Sequence, residues 1–249
     1  MNSNKIITEF LRIKAMGWLV NTRSDNNDGA AGNIFEDHLG VSENNLMEAD
    51  FEGFEVKTKQ KLTSTSLMSL FTKKPSSTFD DSYMRDAWGI QDPDYPDLKT
   101  FNTTISATRW SLIYQEFKMK VSVDRKSKRI YILRADLDGN IIDRNVYWDF
   151  SDIINGAKKL ENMFYVNAEV KVKNDRKYFL FTDAIVFTDY IGHTNFIDLV
   201  EEGIITYDNR LGIYRSGDKK GMAHNHGGGF RIKPKNIERL YRNKIEIKK

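Results

Sequence analysis

The segment Asp50-Phe51-Glu52-Gly53-Phe54-Glu55-Val56-Lys57 carries the residue types and spacing best suited to chemistry. In an extended strand successive side chains point to opposite faces, so Phe54 and Val56 share one face while Glu55 and Lys57 share the other. The apolar face anchors the strand in a core, and the other presents a carboxylate and an ammonium two residues apart. Asp50 precedes the strand, where a turn can bring it back alongside Glu55. Two converging carboxylates bind a hard divalent cation; with water and substrate phosphate completing an octahedron, Mg²⁺ is the natural ion. Lys57 beside that ion can orient or help deprotonate a metal-activated water and stabilise charge developing on phosphate. The lysine turns a general metal-site pattern towards attack of water on a phosphodiester. Glu36 offers a third carboxylate, on a short helix whose packing residues are Phe35 and Leu39. It stands about 100° around the helix from Phe35, free to point towards a strand behind it. A salt-bridged strand face and an exposed helix acid satisfy the same spacings with no chemistry.

A second constellation lies near the C-terminus. Asp208, Arg210, Arg215, His224, His226 and Arg231 are interspersed with Gly212, Gly217, Gly221 and Gly227-Gly228-Gly229. Arginine forks match guanine O6 and N7, histidine can donate to the same acceptors, and a carboxylate accepts from cytosine N4. Glycines let the backbone turn tightly in a groove or approach phosphate closely. The mixture suits a DNA-binding face that reads G·C pairs, whereas lysine alone would supply phosphate affinity without sequence preference. His224-Asn225-His226 also spaces two imidazoles for zinc, but a third ligand is hard to find with no cysteine and only His38 and His193 remaining. The plain alternative is a basic, glycine-rich loop.

The elements that must position these groups are legible in outline. Ser3 or Asn4 can cap a first helix bearing an apolar stripe of Ile6, Ile7, Phe10 and Leu11. Residues 21–33 read as a loop, and Asn33 as the cap of a helix from Ile34 to Leu39 that Gly40 stops. A turn through Asn44-Asn45 leads to a strand from Phe51 to Lys57. Residues 61–78, rich in Ser, Thr and Lys, and the proline-bearing Asp92–Pro96 read as one mobile surface excursion. Asp138-Gly139-Asn140 joins strands Arg129–Leu133 and Ile141–Tyr147 as a hairpin, and Asn174-Asp175 marks a second. Ser151 caps a helix through Met163, and a short helix over Phe196–Glu202 ends at Gly203. Helices and strands interleave without a strict βαβ rhythm, so the class is mixed α/β. Asp136-Leu137-Asp138-Gly139-Asn140 begins like a calcium loop, but its glycine is misplaced and a hairpin explains it.

The chain has 249 residues, of which 29% are charged and 40% hydrophobic, enough for one good core or two lobes. Zero cysteines exclude a disulfide scaffold, a thiolate zinc site and cysteine catalysis. No stretch approaches the ~18–20 apolar residues of a membrane span, and an N-terminus with Glu9, Arg12 and Lys14 is no signal peptide. The expectation is a soluble, cytoplasmic protein. Its net charge of +3 hides a division: residues 205–249 hold 12 Lys/Arg against 4 Asp/Glu, and the first 204 hold 26 against 31. A basic segment on a mildly acidic body points to a polyanion-binding face, though solvated basic tails are common.

Gly32-Asn33-Ile34-Phe35-Glu36-Asp37-His38-Leu39-Gly40, then Glu43-Asn44, then Asp50-Phe51-x-Gly53-x-Glu55-x-Lys57-Thr58-Lys59 resembles the MvaI/BcnI restriction endonucleases and their relative MutH, of the PD-(D/E)xK nuclease class. Arg215-x-Gly217, His224-Asn225-His226-Gly227 and Phe230-Arg231-Ile232 resemble the recognition segment of the same family. The two matches cover the N-terminal quarter and the C-terminal fifth, and are close enough to suggest one particular member. Ala49 departs from the proline that names the class, a change that would only loosen the turn.

The resemblance implies that Glu36, Asp50, Glu55 and Lys57 are the catalytic set, with Asp50 and Glu55 as Mg²⁺ ligands. It implies a nuclease core in residues 1–190 and a DNA-recognition lobe in residues 191–249. The implied activity is Mg²⁺-dependent hydrolysis of double-stranded DNA at a short CC-W-GG-type site, leaving 5′-phosphates, by a monomer that cuts one strand at a time. Such a bacterial enzyme has a cognate DNA methyltransferase as its genetic partner. A MutH-like repair nickase would use the same residues, and a non-catalytic DNA-binding protein would need only the second constellation.

Overall fold

Ile6, Phe10 and Ile13 fall on one stripe of the helix Asn4–Ala15 and are all fully buried, whereas Leu11 points out to solvent. The structure, a computed structural model, describes residues 3–22, 29–40, 49–60 and 66–248. The helix Ala30–Leu39 buries Ala30, Ala31, Ile34, Phe35 and Leu39, and ends at Gly40 in the left-handed conformation. It begins earlier than the Asn33 cap expected from the sequence. Ala30 and Ala31 are good helix formers that bury well, so the helix extends back to Gly29 and Asn33 lies inside it. Both helices pack on a five-stranded sheet in the order Leu19–Val20, Arg176–Tyr190, Met163–Lys173, Glu55–Gln60, with Tyr241–Ile247 also paired to Arg176–Tyr190. Glu55–Gln60 runs parallel to Met163–Lys173, and the other pairings are antiparallel. Phe10, Phe35, Phe164 and Phe181 interlock at the centre of this core, with the rings of Phe35 and Phe181 4.9 Å apart. Asn174 and Asp175, both at positive φ, make the tight turn between the two long strands.

These elements form one compact unit of residues 1–66, 158–191 and 237–249; residues 67–157 and 192–236 form another. The division therefore differs from the contiguous 1–190 and 191–249 segments expected. A strand finds its partner by hydrogen bonding, not by proximity in sequence, and Tyr241–Ile247 returns to the first unit by pairing with Arg176–Tyr190.

The second unit holds two sheets. One has the order Met68–Phe71, Gly229–Ile232, Ile205–Ile213, Lys99–Ile105, Ile90–Gln91, with Ala223–Asn225 on Ile205–Ile213; the other is built around Phe117–Asp124 and Arg129–Ala135. The helix expected from Ser151 through Met163 is shorter, running Phe150–Ala157 with Ser151 inside it. A 3₁₀ turn, Lys158–Leu160, follows in the first unit, and Met163 already starts a strand there. The helix His193–Glu201 covers most of the second expected helix, starting three residues earlier. Much of the expected mobile excursion is instead core. Leu70 and Phe71 are buried in a strand, and Met84 and Trp88 bury one face of the helix Asp81–Trp88. Asp80 caps that helix, accepting from the Ser82 N–H. Residues 23–28, 41–48 and 61–65, which include Glu43-Asn44 and the Asn44-Asn45 turn, lie outside the described residues.

Candidate active site

A two-residue turn assembles the first constellation. Glu52 (φ 49°) and Gly53 (φ 80°) both adopt the left-handed region. Phe54 N–H donates to Phe51 O at 2.8 Å and Phe51 N–H donates back to Phe54 O at 3.1 Å, a type I′ hairpin turn. Glycine takes one of the two left-handed positions without strain. The regular strand therefore starts at Glu55, later than expected, and Asp50 folds back beside it. Asp50 Oδ2 accepts from the Val56 N–H at 2.9 Å. Phe54 and Val56 are buried in the core, as the alternation requires.

Glu55 lies on the opposite side of the strand from that core, yet its side chain is fully buried. Its backbone N–H donates to Asn162 O at 2.9 Å, fixing it beside Met163 of the parallel strand. Lys57 Nζ is 2.5 Å and Lys159 Nζ 2.7 Å from the same carboxylate oxygen, Oε1. These are ion pairs rather than aligned hydrogen bonds, and Oε2 has no hydrogen-bond donor. Burial first, and then the charge of Glu55, raise the Asp50 pKa above the usual carboxylate value, while the Val56 N–H, Lys57 and Lys159 pull it down. Glu36 sits partly exposed on the helix Ala30–Leu39, which packs against the Glu55–Gln60 strand. Asp50, Glu55 and Lys57 are thus brought together, and Lys159 joins them. No local spacing marks Lys159, because it arrives from a distant turn through the parallel strand pairing.

The second constellation is built in the other unit on Ile205–Ile213. Asp208 is 1% exposed and serves as a shared counter-ion: Arg210 Nε lies 2.6 Å and Arg231 Nε 3.0 Å from its Oδ2, and Thr104 Oγ1 donates to Oδ1. Arg231 Nη2 also donates to Gly227 O at 2.9 Å. The Asn225 amide oxygen accepts from the N–H groups of Gly227 and Gly228, and its NH₂ donates to Asp81 at 2.7 Å. That clamp holds the His224–Gly228 turn. The His224 ring stacks on Tyr214 at 3.9 Å and meets His226 edge-on at 4.1 Å. Burial, then His226 and Lys219, lower the His224 pKa. A side chain at Gly212 would put a Cβ 2.9 Å from the His226 ring, so the glycine lets that ring lie close over the strand. Asp208, Arg210, His226 and Arg231 therefore form one linked group, as the His226 N–H also donates to Arg210 O at 2.6 Å. Arg215 is occupied elsewhere: its guanidinium grips the buried Asp92 through both Nη atoms and reaches Asp94 at 3.0 Å.

The signature described as the MvaI/BcnI restriction endonuclease family matches residues 7–241. The chain belongs to that family. Among solved structures it is similar to one described as a restriction endonuclease MvaI–cognate DNA substrate complex, with TM-score 0.89 and 29% identity over 99% of each chain. A structure of restriction endonuclease MvaI in the absence of DNA matches with TM-score 0.60 and 28% identity, again over 99% of each chain. No curated protein sequence matches the chain. At 29% identity it is a relative of MvaI and not the single member that the motifs suggest. As a MvaI/BcnI family member it is a type II restriction endonuclease, a site-specific deoxyribonuclease that binds DNA, with a mixed α/β nuclease fold.

The MvaI/BcnI family implies a divalent cation, and the first constellation fits one. Glu55 Oε2 is a buried carboxylate oxygen without a donor, and Asp50 offers a second hard oxygen whose charge burial, and then Glu55, disfavour. Among the described residues no group of three or more His, Asp or Glu side chains is arranged to hold a metal. Two carboxylates would have to share a cation with water and phosphate.

Proposed function

We propose that this endonuclease hydrolyses double-stranded DNA at a short CC-W-GG-type sequence, using Mg²⁺ and leaving 5′-phosphate ends. The observation that carries this reading is the buried Glu55 carboxylate, with one oxygen lacking a donor, next to Asp50 and in contact with Lys57. Asp50 and Glu55 would hold Mg²⁺, which when bound supplies a Lewis acid that activates water and offsets phosphate charge. Lys57, with 24% of its side chain exposed, can swing from Glu55 Oε1 towards the scissile phosphate. There its ammonium neutralises charge gathering on the phosphate oxygens and orients the attacking water. Glu36, on the adjoining helix, acts as an outer carboxylate that holds water at the centre.

The unit built around Glu55–Gln60 is the catalytic part, and the unit built around Ile205–Ile213 carries the base readers. Arg210 and Arg231 are suited to guanine O6 and N7 because Asp208 orients both forks, and His224 and His226 add donors in the same turn. The protein acts as a monomer with one centre, cutting one strand per binding event, in the cytoplasm of a bacterium whose DNA a cognate methyltransferase protects.

Plasmid digestion with Mg²⁺ or with EDTA, comparing the wild type with Asp50→Ala, tests the chemistry. Discrete fragments are expected only with metal and wild type. Cutting confined to one strand, or a requirement for a repair partner, would overturn it in favour of a repair nickase. Sedimentation with cognate duplex tests the stoichiometry, and two chains per site would overturn the monomer.

A further inference from the structure

Lys159 is the residue at the catalytic centre that the activity does not yet explain. Its ammonium lies 2.7 Å from Glu55 Oε1, the oxygen that Lys57 also contacts at 2.5 Å. The turn that delivers it is tied down on three sides. Asn162 O accepts from the Glu55 N–H at 2.9 Å, Asn162 Nδ2 donates to Gly53 O at 3.3 Å, and Leu160 O accepts from Tyr241 Oη at 2.7 Å. Its side chain is only 22% exposed, so little water screens its charge. Unlike Lys57, it sits outside the strand whose spacing names the nuclease class.

The charge balance is the informative feature. Asp50 and Glu55 contribute two negative charges, and Lys57 and Lys159 contribute two positive ones. Those four inner groups therefore sum to zero, and a divalent cation entering among them alone adds two uncompensated charges in a partly desolvated place. A DNA phosphodiester supplies negative charge that offsets the addition. Without Lys159 the free protein would carry a net negative centre and would attract the cation by itself.

We propose that Lys159 is a positioning residue that holds the Glu55 carboxylate through Oε1 and makes tight cation loading depend on bound DNA. This rests on the reading of Asp50 and Glu55 as cation ligands. Lys159 thereby keeps the carboxylates neutralised while the enzyme searches, and leaves Oε2 free for the ion when a phosphate arrives.

The test is Mn²⁺ binding to the full-length, DNA-free protein at pH 7.5 by isothermal titration. Lys159→Met should bind Mn²⁺ at least tenfold more tightly than the wild type, and Lys159→Arg, which keeps the charge, should match the wild type. The melting temperature of Lys159→Met should also rise more on adding Mn²⁺ than that of the wild type. If wild-type binding is too weak to register, saturable binding that appears in Lys159→Met and is lost in Lys159→Met/Asp50→Asn supports the proposal. Equal or weaker binding by Lys159→Met overturns it, and leaves Lys159 as a structural ion pair. Circular dichroism checks folding, and Lys159→Gln replaces the methionine variant if that chain fails to fold. Failure of the underlying reading looks different: Asp50→Asn would then cleave DNA and bind Mn²⁺ as the wild type does.

Discussion

Asp50 is tied to Val56 by a hydrogen bond from the Val56 N–H to Asp50 Oδ2 at 2.9 Å, so the aspartate before the turn reports directly on the strand that follows it. The bond closes the turn from its open side. It also holds a carboxylate near Glu55, an arrangement that repulsion alone would oppose. Function here works against stability: the same proximity that suits a cation raises the cost of keeping both carboxylates ionised.

Asp50→Asn separates these effects. Its folded pKa lies above the usual value of 3.8, first through burial and then through Glu55. The contribution of such a group is full below 3.8 and is lost as pH rises through the raised folded value, so at neutral pH the ionised aspartate costs stability. Asparagine keeps an acceptor for the Val56 N–H and removes the charge. The variant should melt higher by about 2 °C in EDTA and lose cleavage while still binding cognate DNA. Thermal denaturation beside a plasmid assay checks it, and a lower melting temperature would mean that the lysines overcompensate the charge.

Arg210→Ala and Arg231→Ala should each reduce the preference for cognate over random DNA by about 1–3 kcal/mol. Asp208→Asn should lower that preference too, although Asp208 is almost fully buried, because it orients both guanidinium groups. Affinities of single and double variants on both DNAs decide the matter. Additive losses would mean that the arginines are held independently, and equal weakening on random DNA would reassign them to phosphate contacts.

Arg215→Ala should leave discrimination between DNAs unchanged and act on stability instead. Arg215 holds the Asp92 carboxyl below the usual range. That contribution is present above 3.8 and is lost as pH falls through the depressed value, so the variant should melt below wild type at pH 7 and approach it in acid. Melting curves across pH together with binding assays test this, and a selective loss of cognate affinity would return Arg215 to the base readers.

His224 should titrate below 6.5 in the DNA-free protein, since burial and its neighbours His226 and Lys219 disfavour the imidazolium. The neutral ring is favoured, so its contribution to stability is present above 6.5 and is lost as pH falls through the lowered midpoint. His226→Gln should move the midpoint upward. Imidazole resonances followed by NMR provide the readout, and an unchanged midpoint would leave burial and Lys219 as the causes.

Legible from the order of residues alone were the alternation of the Glu55–Gln60 strand, the grouping of Asp50 with Glu55 and Lys57, the left-handed stop at Gly40, the Asn174-Asp175 hairpin and the basic cast of the C-terminal segment. Each follows from local rules: side-chain period, turn chemistry or residue type within a few positions. That Glu55 is buried rather than presented emerged with the fold: its backbone pairs with Asn162 and Met163, about a hundred residues away, which sequence spacing cannot bring near. The tertiary structure likewise brought Lys159 to Glu55, committed Arg215 to Asp92 and joined Asp208 to two arginines. Polar sequence also concealed the ordered helix Asp81–Trp88, whose stability comes from burying Met84 and Trp88. Ion pairs and strand partners are chosen by distance in space, and a linear pattern carries that information only where the chain turns back within a few residues.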